Sequence, residues 1–139
     1  MSSTQIGETV PEPQESVGRG LRSQEDVVLL ERASALVSSG WCQRGLARDR
    51  DGRQVEPWSE TARSWSPLGA LLRTWYERPE AGHDAFATAY SALALATGGR
   101  LEEWNAARWR AIHHVRNAFV RAEAYLPVAR RRLRTRQGV

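Results

Sequence analysis

Gly40-Trp41-Cys42-Gln43-Arg44-Gly45-Leu46-Ala47-Arg48-Asp49-Arg50-Asp51-Gly52-Arg53-Gln54-Val55 breaks a chain whose other patterned segments repeat at helical spacing. Its glycines, its Asp51-Gly52 turn dipeptide and its short polar arms suit a reversal of the chain. Leu46 to Asp49 and Arg53 to Val55 are the segments that would pair around it. So short a ribbon is marginal alone and must lie on helices. The fold therefore depends on whether helices flank it.

They do. Upstream, Ser23-Gln24-Glu25-Asp26 combines an N-cap with acid in the first turn. Leu29, Leu30, Ala33, Leu36 and Val37 then form one helical face, and Gly40 is placed as a C-terminal glycine. The first helix is expected over 24–39. Downstream, Ser59 can cap a helix entering Glu60-Thr61-Ala62-Arg63. Pro67 either opens a new helix or kinks a continuous one. Leu68, Leu71, Leu72, Trp75 and Tyr76 give the next buried face, closed by Pro79 and Gly82. Asp84 caps a helix whose stripe is Phe86, Ala89, Tyr90, Leu93 and Ala94, stopped by Gly98-Gly99. Leu101 to Trp104 is a connecting turn, and Asn105 is an N-cap. Trp109, Ile112, Val115, Ala118, Phe119 and Ala122 mark a last long helix ending before Pro127.

This predicts a mainly α fold: a compact bundle of four to five helices with a small β-ribbon or irregular loop after the first. Residues 1–22 read as a disordered acidic tail, because their Ser, Gln, Glu, Gly and Pro content cannot bury enough surface to offset ordering entropy. Residues 23–127 form a single helical domain, and 128–139 a basic tail.

The 139 residues suit one domain with a core. All 20 basic residues are arginine, so the surface carries planar, permanently charged guanidinium groups. The formal net charge of +4 is uneven, with Glu8, Glu12 and Glu15 near the start and Arg130, Arg131, Arg132, Arg134 and Arg136 near the end. A lone Cys42 excludes an internal disulfide. No stretch approaches the roughly 18 apolar residues of a membrane span, and no signal-peptide pattern stands at the N-terminus. A cytoplasmic protein without membrane association is expected.

The residues Gly40-Trp41, Gly45, Ala47-Arg48-Asp49, Gly52, Val55, Pro57 and Ser59, followed by Ala62, Trp65 and Gly69-Ala70, resemble the pattern of a family of small actinobacterial proteins that carry a domain of unknown function. Trp104-Asn105 and the closing helix extend the resemblance to 25–125. It implies a helical domain from an actinobacterial-type source and implies no activity. Many of those relatives carry a cysteine after the second tryptophan of the pattern. Here Ser66 follows Trp65, so any role of that cysteine does not transfer.

Candidate chemistry is sparse. His113 and His114 are adjacent, so on a helix they point about 100° apart and do not converge on one ion. With only His83 and Cys42 besides, a zinc site lacks ligands, and no metal or cofactor is expected. Cys42 with a histidine would make a nucleophile and base, but no orienting group or oxyanion motif accompanies them. Asp49-Arg50-Asp51-Gly52 opens like a calcium loop, yet Arg53 and Gln54 occupy the positions that need a ligand and a glycine.

The leading expectation is a non-enzymatic binding or regulatory module, working through an unknown protein partner or a homodimer. Its contact residues would be Trp41, Arg44, Arg48, Arg50, Arg53, Trp58 and Trp104. The alternative is nucleic-acid association through Arg130, Arg131, Arg132, Arg134 and Arg136, which could neutralise phosphates without reading sequence. A small enzyme using Cys42 stands third. The six tryptophans otherwise read as core or rim packing.

Overall fold

The computed structural model describes residues 25–138, with side chains to 136. The tail expected over 1–22 lies outside the described residues. Five α-helices are present among them: α1 (Glu25–Ser39), α2 (Pro67–Glu77), α3 (His83–Thr97), α4 (Leu101–Ala106) and α5 (Ile112–Gly138). Two short strands, β1 (Ala47–Arg48) and β2 (Ser64–Trp65), precede α2, and a 3-10 turn (Pro79–Ala81) follows it. The chain is mainly helical with a small ribbon after the first helix, as its patterning predicts.

Helix α1 turns Leu29, Leu30, Ala33 and Val37 inward. They meet Leu71 of α2, Leu93 of α3, Leu101 of α4 and Val115 of α5, all at most 1% exposed. The most extensive contact joins α3 to α5. Small residues permit it: Ala89 and Ala92 on one helix, Ala118 and Ala122 on the other, are buried. Burying a leucine fully is worth about 1.5–3 kcal/mol, so this set supplies much of the driving force.

The ribbon differs from the expected hairpin. The reversal forms: Asp49 N–H donates to the Arg53 carbonyl at 2.9 Å, and Gly52 N–H to the Asp49 carbonyl at 3.0 Å. The Asp49 carboxylate also accepts from the Asp51 and Arg53 amides, each at 2.9 Å. The arms, however, form no ladder beyond the isolated Arg48–Gln54 bridge, which Val55 N–H to the Ala47 carbonyl at 3.0 Å flanks. The strand partner of β1 is β2, antiparallel, with Ala47 opposite Trp65 and Arg48 opposite Ser64. Trp41 bridges Trp65 on the other side.

This explains why no helix forms over 60–63. Arg63 N–H donates to the Arg48 carbonyl, Trp65 N–H to Gly40, and Ser66 N–H to Leu46. Those donors go to ribbon partners instead of a helical ladder. Ser66 then sits extended before Pro67, caps Gly69 N–H at 3.0 Å, and α2 starts fresh with proline in its first turn.

Gly40 also has a different reason from the one its position suggests. A Cβ there would overlap the Arg63 carbonyl oxygen, so close approach to β2 requires the glycine. The left-handed helix stop is at Gly98, with φ 91° and ψ 10°.

The last helix does not end before Pro127. Helix α5 passes through it to Gly138, so residues 128–138 continue the helix. Pro127 is exposed, while Leu126 and Ala129 are buried on the core side. Arg130 then reaches α1, donating to the Asp26 carboxylate at 2.8 and 2.9 Å. Asp26 is 4% exposed. This pair and the buried alanine hold the helix together past the missing N–H of proline. Asn105, expected to cap that helix, lies inside α4, and the loop 107–111 separates the two helices.

A candidate aromatic cleft beside helix α2

Arg73 of α2 builds the cleft. Its guanidinium donates to the Pro57 carbonyl at 3.0 Å and the Ser59 carbonyl at 3.3 Å, and its Nε bonds Glu77 at 2.6 Å. The Trp65 indole donates to the same Pro57 carbonyl at 3.0 Å. The 57–59 segment is thus clamped against α2, and Trp58 between the two anchor points is laid over Tyr76. The rings stack with centroids 5.7 Å apart and 23° between planes. Trp58, Leu72, Trp75, Tyr76 and Pro79 line a cleft of about 500 Å³.

Trp75 forms one wall, supported from behind by Phe86 of α3, stacked at 4.5 Å. Trp58 is 41% and Tyr76 61% exposed. No acceptor meets the indole N–H of Trp58 or Trp75 among the described residues, whereas Trp41 and Trp65 have theirs bonded. At the cleft's edge Arg78 grips Glu25 with two hydrogen bonds, 2.7 and 3.0 Å. That hydrogen bonding holds the Glu25 carboxyl below its ordinary range.

The other tryptophan at the ribbon is structural. Trp41 Nε1 donates to Asn105 Oδ1 at 2.8 Å, and Asn105 Nδ2 donates to the Cys42 carbonyl at 3.1 Å. Gln43 adds bonds to the Asn105 and Ala107 carbonyls at 2.8 and 2.9 Å. The ribbon is stitched to α4 by these contacts. Trp104 is half-buried. Arg110 lies over its ring at 3.8 Å and over Trp109 at 4.0 Å. Trp58 and Trp104 therefore belong to separate surroundings. Trp109, expected on a buried helical face, precedes α5 and is 68% exposed.

The ribbon arginines divide. Arg48 is engaged by the backbone, donating to the carbonyls of Gln43, Arg44 and Gly52. Arg44, at φ 58°, and Arg50 and Arg53 are exposed. Arg53 lies 3.7 Å from Asp51, both well exposed, a pair worth little. On α5, Arg130 faces inward to Asp26, while Arg131, Arg132, Arg134 and Arg136 are exposed.

Cys42 is buried, and burial pushes its thiol above the ordinary range. Its sulfur contact is the Gly45 carbonyl at 4.0 Å. His114 Nδ1 accepts the Ala111 N–H at 2.9 Å, so it caps the start of α5. Burial first, then His113 and Arg110, disfavour its protonation. No cluster of three or more metal-ligating side chains occurs among the described residues. No helix among them is long and apolar enough to cross a membrane.

A family model described as a family of unknown function (DUF6197) matches residues 22–125. The chain belongs to this family. No curated protein and no solved structure matches it. The DUF6197 region includes the ribbon, the Trp41–Asn105 link and every residue of the cleft. The exposed arginines at the end of α5 lie beyond it.

Of the sequence-selected contact residues, Trp58 lies in the cleft. Its neighbours Leu72, Trp75, Tyr76 and Pro79 were not selected. Tyr76 fits the periodic buried face of α2 and is nonetheless exposed, because α1 packs on the other side of that helix. The signal in the sequence was the pairing of Trp58 in a loop with Trp75-Tyr76 just before Pro79.

Proposed function

We propose that this DUF6197 protein is a non-enzymatic binding module of an actinobacterial-type cytoplasm. It takes an extended, proline-containing segment of a protein into the Trp58–Tyr76 cleft. The observation that carries this is the exposed aromatic pair beside two indole N–H groups that meet no acceptor among the described residues. A polyproline II segment offers flat apolar rings for the aromatic walls and backbone carbonyls that no internal hydrogen bond uses. The buried thiol of Cys42, bonded to no histidine, favours a binding role over a catalytic one.

Titration with hexaproline, followed by the indole N–H signals in ¹H–¹⁵N spectra, tests this. Shifts should concentrate on Trp58 and Trp75, and Trp58→Ala should weaken binding about tenfold or more. An absence of shifts at millimolar peptide overturns the reading.

A second reading is favoured by the helical, exposed Arg131, Arg132, Arg134 and Arg136. They form a basic helix end able to neutralise phosphates. Binding to single- or double-stranded DNA that falls steeply with salt, and is lost when these four become glutamine, is its expected signature.

A further inference from the structure

We infer that the Trp104–Arg110–Trp109 stack before α5 binds single-stranded nucleic acid, taking an unpaired base on the exposed ring of Trp109 and the adjoining phosphates on Arg108 and Arg110. This site is separate from the Trp58–Tyr76 cleft and from the arginines at the end of α5.

The loop 107–111 builds the platform. Arg110 N–H donates to the Ala107 carbonyl at 2.9 Å, and its Nε to the Trp104 carbonyl at 2.8 Å. Its guanidinium carbon then lies 3.8 Å from the Trp104 ring centroid and 4.0 Å from that of Trp109, so one planar cation packs on both indoles. His114 meets Trp109 edge to face, with centroids 5.5 Å apart and planes at 81°, and its Nδ1 accepts the Ala111 N–H at 2.9 Å. Gln43 of the ribbon holds the Ala107 carbonyl, also at 2.9 Å. Trp109 is thus fixed in place by a cation and an imidazole, yet it is 68% exposed, more than any other tryptophan.

Charge identifies the occupant. From Trp104 to Ala122 the chain carries Arg108, Arg110, Arg116, Arg121, His113 and His114, and no acidic residue. Arg108, Arg110 and Arg116 enter no ion pair among the described residues. Of the acids on α4, Glu103 bonds Arg100 at 3.3 Å, and the charge of Glu102 acts on Cys42. Guanidinium groups without carboxylate partners, beside a fixed aromatic plane, suit a polyanion with accessible flat rings. A duplex keeps those rings inside its own stack, whereas a single strand presents them. An acidic peptide would satisfy the cations and leave the indole without a flat partner.

The test titrates a single-stranded oligothymidylate into the full chain at low salt, reads the indole N–H signals in ¹H–¹⁵N spectra, and repeats the titration with oligouridylate. The Trp109 signal should move furthest. Trp109→Ala should weaken binding about tenfold or more while the remaining indole signals stay in place, and Trp109→Phe should recover part of the loss. Arg108→Gln should lower the slope of log affinity against log salt by about one. The tighter of the two oligomers assigns the strand as DNA or RNA, and either order supports the platform. A Trp109 signal unmoved by both oligomers overturns the inference. Binding unchanged by Trp109→Ala but lost when Arg131, Arg132, Arg134 and Arg136 become glutamine also overturns it, and leaves the basic helix end standing as the site. A duplex of equal length that binds as tightly overturns base stacking on Trp109. A Trp109 signal that changes on dilution of the protein alone places a second copy of the chain on the platform and overturns the inference.

Discussion

Trp41 and Trp58 both stand outside the helices, and the fold treats their indole N–H groups in opposite ways. Trp41 donates to Asn105, a side chain 2% exposed that also holds the Cys42 carbonyl. Trp58 stacks on an exposed tyrosine and donates to nothing described. A buried indole needs an acceptor, since leaving it unpaired costs about 1–3 kcal/mol. An exposed one keeps its donor for water or a ligand. The same residue type therefore fastens the ribbon in one place and lines a cleft in the other. The lesson is that satisfaction of the polar tip, more than burial of the ring, separates the two roles.

The comparison breaks most readily at the ribbon. A Cβ on Gly69 would overlap the Leu46 carbonyl oxygen, backbone that cannot move cheaply. Gly69→Ala is expected to cost on the order of 3 kcal/mol or more in urea unfolding. Substituting Asn105 removes the acceptor of Trp41 and the donor to Cys42 together. About 2–3 kcal/mol should be lost in Asn105→Ala, and the buried thiol should become more reactive toward a thiol reagent. A loss below about 0.5 kcal/mol would show that the node is not structural.

The cleft should respond the other way. Trp58→Ala is expected to change stability by about 1 kcal/mol or less while removing peptide binding. A large loss of stability there would make Trp58 a second Trp41.

The smallest effect belongs to the Glu25–Arg78 clamp. Glu25 has its folded pKa lowered by the Arg78 hydrogen bond. Its contribution is present above the ordinary glutamate pKa and is lost as pH falls through the lower folded value. Glu25→Gln should lower stability slightly at neutral pH and leave it unchanged in strong acid, so the acid limb of stability against pH is slightly flatter.

Much of the architecture was legible because helical faces declare themselves locally. Leu29, Leu30, Ala33 and Val37 are spaced for one side of a helix, and they are buried on one. Asp51-Gly52 turns the chain because its preferences are local too. The departures share one cause: distant partners. Ser64-Trp65 became a strand because the carbonyls of Gly40, Leu46 and Arg48 offered backbone bonds. Helix α5 crossed Pro127 because Asp26, far back in the chain, awaited Arg130.

By itself, then, the sequence determined the helical class, the inward face of α1, the turn at Asp51-Gly52 and the break at Gly98. All of these follow from periodicity and from φ/ψ preferences of single residues. Tertiary structure alone decided which strand pairs with Ala47, whether Pro127 ends a helix, and which tryptophans find an acceptor for their N–H among the described residues. Each of those depends on a hydrogen-bond partner brought close only by packing, and no local pattern encodes the identity of that partner.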